Sequence, residues 1–244
     1  MKKIFTKSLG FALIMGAIST SQAQTNVVYA NSTTLFDPPG PNTFTYLSLA
    51  NGDFVGNTIT LAPSTSATRN MIGFGFQYYT DSANHSTYAS IPSLTLSFYL
   101  NGGALVNGVP SPSTQFFTES FILSSFVVPP GGGVGNISFT NGFDFASSGT
   151  HIPAETVTWT LQVSGMGAGD VFGLVAFDPP TVGYDANYYW QNIGGVWSTR
   201  TNSVAGANSF GAEVWATTPE PGTVSLAVLG GLALLAAVKG RRRS

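Results

Sequence analysis

Between residues 24 and 218, apolar and polar positions alternate with period two in one short stretch after another, the signature of half-buried β-strands. Leu94, Leu96, Phe98 and Leu100 alternate with Thr95, Ser97 and Tyr99. Val157, Trp159, Leu161 and Val163 alternate with Thr156, Thr158, Thr160 and Gln162. Ile72, Phe74, Phe76 and Tyr78 share a face opposite Gly73 and Gly75. Further strands are predicted over 26–30, 43–49, 54–61, 115–128, 136–140, 171–177, 195–199 and 210–216, all rich in Thr, Val, Phe, Tyr and Ile. Turn chemistry separates them: Asp37-Pro38-Pro39-Gly40-Pro41, Asn51-Gly52-Asp53, Asn101-Gly102-Gly103, Pro129 to Gly133, Asn141-Gly142 and Asp178-Pro179-Pro180. No helical period persists over three turns in this region. Ten to twelve short strands predict an all-β fold, an antiparallel β-sandwich of jelly-roll-like type, with an up-and-down barrel as the second choice.

The two ends of the chain follow a different pattern. Lys2, Lys3 and Lys7 precede an apolar run from Leu9 to Ile18, and Ser21-Gln22-Ala23 places small residues where a signal peptidase cuts. Residues 1–23 therefore read as a signal peptide, too short in its apolar part to span a bilayer. At the other end, Pro219-Glu220-Pro221-Gly222 stops regular structure, because each proline fixes φ and lacks a donor. Thr223 to Val238 follows without a charge, dominated by Leu and Ala. As a helix it would be about 24 Å long, slightly short of the roughly 30 Å hydrocarbon core. Lys239, Arg241, Arg242 and Arg243 can snorkel to the headgroups and set the C-terminus in the cytoplasm. The predicted organisation is a signal peptide (1–23), one exported β-domain (24–218) and a C-terminal segment (219–244) with a transmembrane helix over 223–238 and a basic tail over 239–244.

The order Pro-Glu-Pro, short apolar helix, arginine cluster resembles the PEP-CTERM sorting signal of Gram-negative bacteria, with Pro219, Glu220 and Pro221 at the matching positions. The resemblance covers about a tenth of the chain. It implies processing near that tripeptide by a membrane enzyme, an exosortase, after transient anchoring in the inner membrane. It further implies a protein of the cell surface or extracellular matrix in a polysaccharide-producing, biofilm-forming bacterium.

Charge narrows the partners. Between residues 24 and 218 only Arg69 and Arg200 stand against ten acids, a net charge of −8. Such a domain has no electrostatic hold on phosphate backbones, which argues against nucleic-acid binding. There are no cysteines, so thiol catalysis and Cys-ligated metals are excluded and the core must stabilise the fold without disulfides.

The chemistry candidates are few. His85 and His151 lie far apart in polar, turn-like settings. No Gly-x-Ser-x-Gly elbow is present. Asp170, Asp178 and Asp185 are the closest group of acids; they could serve a glycoside hydrolase if two faced each other, or hold Ca2+ with carboxylate and carbonyl oxygens from loops, but Asp is also an ordinary turn former. No cofactor is expected. The aromatics say more. Tyr184, Tyr188, Tyr189, Trp190 and Trp197 fall within fourteen residues, with Asp185 among them. Tyr78 and Tyr79, followed by Asp81, Asn84 and His85, form a second group. Aromatic faces stack on the C–H faces of sugar rings while polar neighbours bond the hydroxyls, so the first group is a candidate glycan-binding site. The same residues could instead pack the core. The expected function is a non-catalytic exported protein associated with extracellular polysaccharide; the alternative is a secreted carbohydrate-active hydrolase on the same scaffold.

Overall fold

The computed structural model of the chain describes residues 24–32, 45–63, 69–82, 88, 92–122, 132–140, 150–201 and 209–218. The predicted signal peptide and the C-terminal segment from Pro219 onward lie outside them. The described residues contain fourteen strands and no helix. All pairings are antiparallel, and the strands form two sheets packed as a sandwich.

The first sheet is built on β4 (Asn70–Asp81). One side of β4 pairs with β14 (Ala212–Thr218) along Asn70–Phe76, then with β10 (Val171–Phe177) along Tyr78–Asp81. Its other side carries β7 (Gly133–Thr140) and the two-residue β8 (Thr150–His151). β1 (Gln24–Asn31) pairs with β14, while β2 (Tyr46–Ser48) and β13 (Ser209–Phe210) pair with β10. The second sheet runs in the order β12 (Val196–Arg200), β11 (Tyr184–Ile193), β3 (Phe54–Thr60), β9 (Thr156–Ser164), β5 (Ser93–Val106), β6 (Val109–Ile122).

The alternating faces meet between the sheets. Phe74 sits edge-on to Phe98 at 5.1 Å between ring centres and tilted against Trp159 at 5.2 Å. All three are buried. Such offset and edge contacts suit the ring quadrupoles and add to the burial of large apolar area. In β3, a Cβ on Gly56 would collide with the Trp159 carbonyl and the Thr160 Cα of β9, so only glycine allows that approach.

Three predicted details are corrected. Ile72 does not share the core face of Phe74: the register between β14 and β4 slips at this point, and Met71 is buried in its place. One extra residue in a strand flips the parity of everything beyond it. Asn101-Gly102-Gly103 is not a turn but lies within β5; the hairpin turns six residues later at Asn107-Gly108, both with positive φ (52° and 82°), between the paired Val106 and Val109. That is the conformation a two-residue hairpin loop of type I′ requires. Strand β6 accordingly starts at Val109 rather than at residue 115. Finally, Tyr184–Ile193 is a strand that the alternation did not reveal, because its pairing to β3 also slips between Asp185 and Tyr189.

Phe74→Ala should destabilise the fold by about 3–5 kcal/mol, the cost of emptying a buried aromatic site. Denaturant unfolding measures this; a loss under about 1 kcal/mol would contradict the packing described.

Candidate functional site

The aromatic group on β11 and β12 divides between faces. Tyr189 pairs opposite Asn57 and turns into the sandwich, where it meets Phe210 at 5.6 Å. Trp190 pairs opposite Gly56 and faces the other way, yet its accessible area is zero. A chain of hydrogen bonds connects it to the β5–β6 hairpin. Trp190 Nε1 donates to Thr58 Oγ1 at 2.9 Å, Thr58 and Thr158 share a bond of 2.8 Å, and Thr158 donates to Asn101 Oδ1 at 2.6 Å. At the hairpin tip, Asn107 Nδ2 donates to Thr199 Oγ1 of β12 at 2.7 Å. Three register slips between Phe98 and Leu105 bend the hairpin onto the sheet.

Trp190 and Trp197 therefore belong to a small second core beneath the hairpin arm. Trp197 is half-buried and edge-on to Trp190 (6.2 Å) and Tyr99 (5.6 Å); Tyr188 is edge-on to Trp190 at 5.6 Å. The expectation that Trp190 offers an open stacking platform is corrected: its ring is fully covered. Of the six candidate residues, Tyr184 alone is largely open to solvent, at 65% exposure.

Asp185 faces inward opposite Ile59, and its Oδ2 is buried without a hydrogen-bond partner. Burial pushes the carboxyl above the usual carboxylate range, with Ser209 and the residue's own backbone amide offsetting part of the rise. The neighbouring Tyr29 hydroxyl is also buried without a partner, and burial together with the Asp185 charge pushes it far above the ordinary phenol value. Ser209 and Asn31 stand close enough to offset part of that shift without making a well-formed bond to it.

The other candidates occupy separate places. Asp170 Oδ2 accepts the Gly167 N–H at 2.9 Å and fastens the turn before β10. Asp178 lies in the loop after β10, partly exposed. His151 is exposed on β8, and His85 and Asn84 lie outside the described residues. Among the described residues no three His, Asp or Glu side chains come together to hold a metal, and no helix is long and apolar enough to cross a membrane. Pro219, Glu220, Pro221, Lys239, Arg241, Arg242 and Arg243 are outside the described residues.

The second aromatic group splits as well. Tyr78 is buried and stacked on Phe172 at 5.3 Å. Tyr79 points outward and stacks on Tyr46 at 4.1 Å, with an interplanar angle of 26°. On the same outer face of the first sheet lies a shallow depression, lined by Trp215, Glu213, Gln77, Asn136 and Ser138 over Gly75. Sequence reading passed over it because its residues come from three strands, β4, β7 and β14. The available signal was the Gly73/Gly75 pair on the outward face of a strand whose inward face is aromatic.

No family model matches the chain, and no curated protein matches it. A solved structure, that of the infectious bursal disease virus Gt strain, is similar over 83% of this chain and 44% of that one, at 14% sequence identity and a TM-score of 0.27. The chain thus spans less than half the length of that protein. At that TM-score the likeness carries no argument about fold or function.

Two outcomes follow from this geometry. Trp190→Ala should loosen the hairpin arm, raising amide hydrogen exchange over residues 101–112 by about tenfold or more while β4 and β9 stay protected; unchanged exchange in the arm would contradict its seating on Trp190. For Asp185, a raised folded-state pKa means that the folded chain favours the protonated acid. The stability so contributed is complete below the ordinary carboxylate pKa of about 4 and is lost as pH rises through the elevated value. Asp185→Asn should therefore melt above wild type at pH 7 and lose that advantage below about pH 4. A variant that melts lower at pH 7 would contradict the unpaired buried charge.

Proposed function

We propose that the chain is an exported, non-catalytic protein of the cell surface or extracellular matrix, sorted by an exosortase-type system and associated with exopolysaccharide. The observation that carries this reading is the order of parts at residues 219–244: Pro-Glu-Pro, an uncharged apolar run, then four cations. The basic and apolar start of the chain, with small residues before Gln24, agrees with it. The apolar run anchors the chain transiently in the inner membrane, signal peptidase and exosortase act on its two ends, and the β-domain is delivered outside. A jelly-roll connectivity is part of this reading and rests on the pattern of short strands and turns.

The positions of the acids support the non-catalytic part. A glycosidase of the usual kind places two carboxyls about 5–9.5 Å apart across an open cleft. Asp185 is turned into the interior and Asp170 is engaged in fastening a turn. The net charge of −8 between residues 24 and 218 argues against nucleic acid as a partner.

Replacing Pro219, Glu220 and Pro221 together by Ala should leave the full-length chain in the membrane fraction of its host, where wild type is processed and released. Cell fractionation with immunoblotting reads this directly. Release of the variant at the wild-type rate would overturn the sorting assignment.

A further inference from the structure

We infer that the outer face of the first sheet is a binding surface for an uncharged polysaccharide, centred on Trp215. Its setting rests on the exopolysaccharide association proposed above; its chemistry rests on the sheet itself. Strand pairing sets Glu213 of β14 and Ser138 of β7 on either side of Gly75 of β4. With no side chain at Gly75, the indole of Trp215 leans across the strand. A Cβ there would lie 3.0 Å from Trp215 Cη2 and 3.2 Å from Ser138 Oγ. The glycine makes the depression, and the half-buried indole forms one wall of it. That sets an aromatic surface beside polar side chains, the combination a sugar ring needs.

The remaining walls carry the groups that bond hydroxyls. Gln77 and Asn136 stand opposite each other on β4 and β7, and Ser138 is next along β7. Ser32 donates to Glu213 Oε1, which orients the carboxylate, and its carbonyl accepts Gln77 Nε2 at 3.4 Å. These groups offer amide donors, hydroxyls and one fixed acceptor, the set that reads neutral sugar hydroxyls. Along β4 the same face continues past Gln77 to the stacked Tyr79 and Tyr46, the latter 38% exposed. From Gly75 to Tyr79 is roughly 13 Å at the strand rise, so two aromatic stations lie in line on one face. An extended polymer can use both, whereas a single small sugar can use only one.

Charge selects the class of polymer. No Lys or Arg lines the depression. Of the two arginines between residues 24 and 218, Arg69 is buried and Arg200 lies on β12 of the other sheet. With Glu213 in the wall and a net charge of −8 over residues 24–218 as a whole, a uronate-, sulfate- or phosphate-bearing chain is repelled. The occupant is a neutral hexose polymer.

The test uses the purified full-length chain in a sugar-free zwitterionic detergent, with binding read by calorimetry. The probes are soluble neutral polysaccharides (dextran, xyloglucan, galactomannan and a mixed-linkage glucan) and alginate as the acidic comparison. The expected result is binding to at least one neutral polymer and none to alginate. Trp215→Ala should weaken it by about tenfold or more, and Gln77→Ala and Asn136→Ala should each weaken it measurably. Val196→Ala, on the exposed edge of the second sheet, should leave it unchanged. Intact circular dichroism and melting temperature in Gln77→Ala and Asn136→Ala separate lost contacts from lost fold, should Trp215→Ala prove unstable. Absence of binding to every neutral polymer, tighter binding of alginate, or full affinity in both Gln77→Ala and Asn136→Ala would overturn the inference. Because purified protein is used, none of these results depends on sorting, and a failure here leaves the export reading to its own test.

Discussion

The contact on which the fold depends is the packing of Phe74 between Trp159 and Phe98. It joins the hub strand of the first sheet to two neighbouring inner strands of the second, β9 and β5. With no disulfides available, this interface must hold the sandwich together by burial and shape alone. It also constrains the opposite side of β4. Because the inward positions are filled by Phe74, Phe76 and Tyr78, the outward positions are the ones left to vary. Two of them are glycines, and over Gly75 lies Trp215. One strand thus carries the aromatic core on one side and the depression on the other.

The second sheet handles its outer face differently. Cross-strand hydroxyl pairs run along it: Thr58 with Thr158, Thr60 with Thr156, Ser93 with Ser164, Thr95 with Ser120 and Ser97 with Thr118, all at 2.7–3.0 Å. Near β11 the hairpin is bonded to this face through Asn101 and Asn107, and Trp190 is fully buried there. The bonds from Trp190 through Thr58 and Thr158 to Asn101 satisfy groups that burial would otherwise leave unpaired. The most aromatic stretch of the chain is used to seat an arm of the fold. The surface left open with both aromatic and polar character lies on the other sheet.

How much of this was legible depends on whether parity survives. In β9, and in β5 as far as Phe98, the alternation runs unbroken, and the core faces follow from sequence; beyond Phe98 the slips bury Tyr99 and leave the predicted core residue Leu100 only partly covered. At Ile72 and again within Tyr184–Ile193, a slip of register inverts the faces, and nothing local marks where it falls. The hairpin illustrates a different limit: two Asn-Gly pairs compete for the turn, and only Asn107-Gly108 has flanking valines that pair. Trp190 could not be placed by pattern, since it points away from the core and is still fully buried. The depression was invisible because Gly75, Ser138 and Glu213 become neighbours only through pairing.

The central claim is that this β-sandwich is cargo, delivered outside the cell and separated from the segment that delivers it. Intact mass spectrometry of the protein recovered from the surface or medium of its native host tests this most directly. The account predicts a chain that starts near Gln24 and ends close to Pro219. Recovery of the chain outside the cell with residues 223–244 still attached would contradict it.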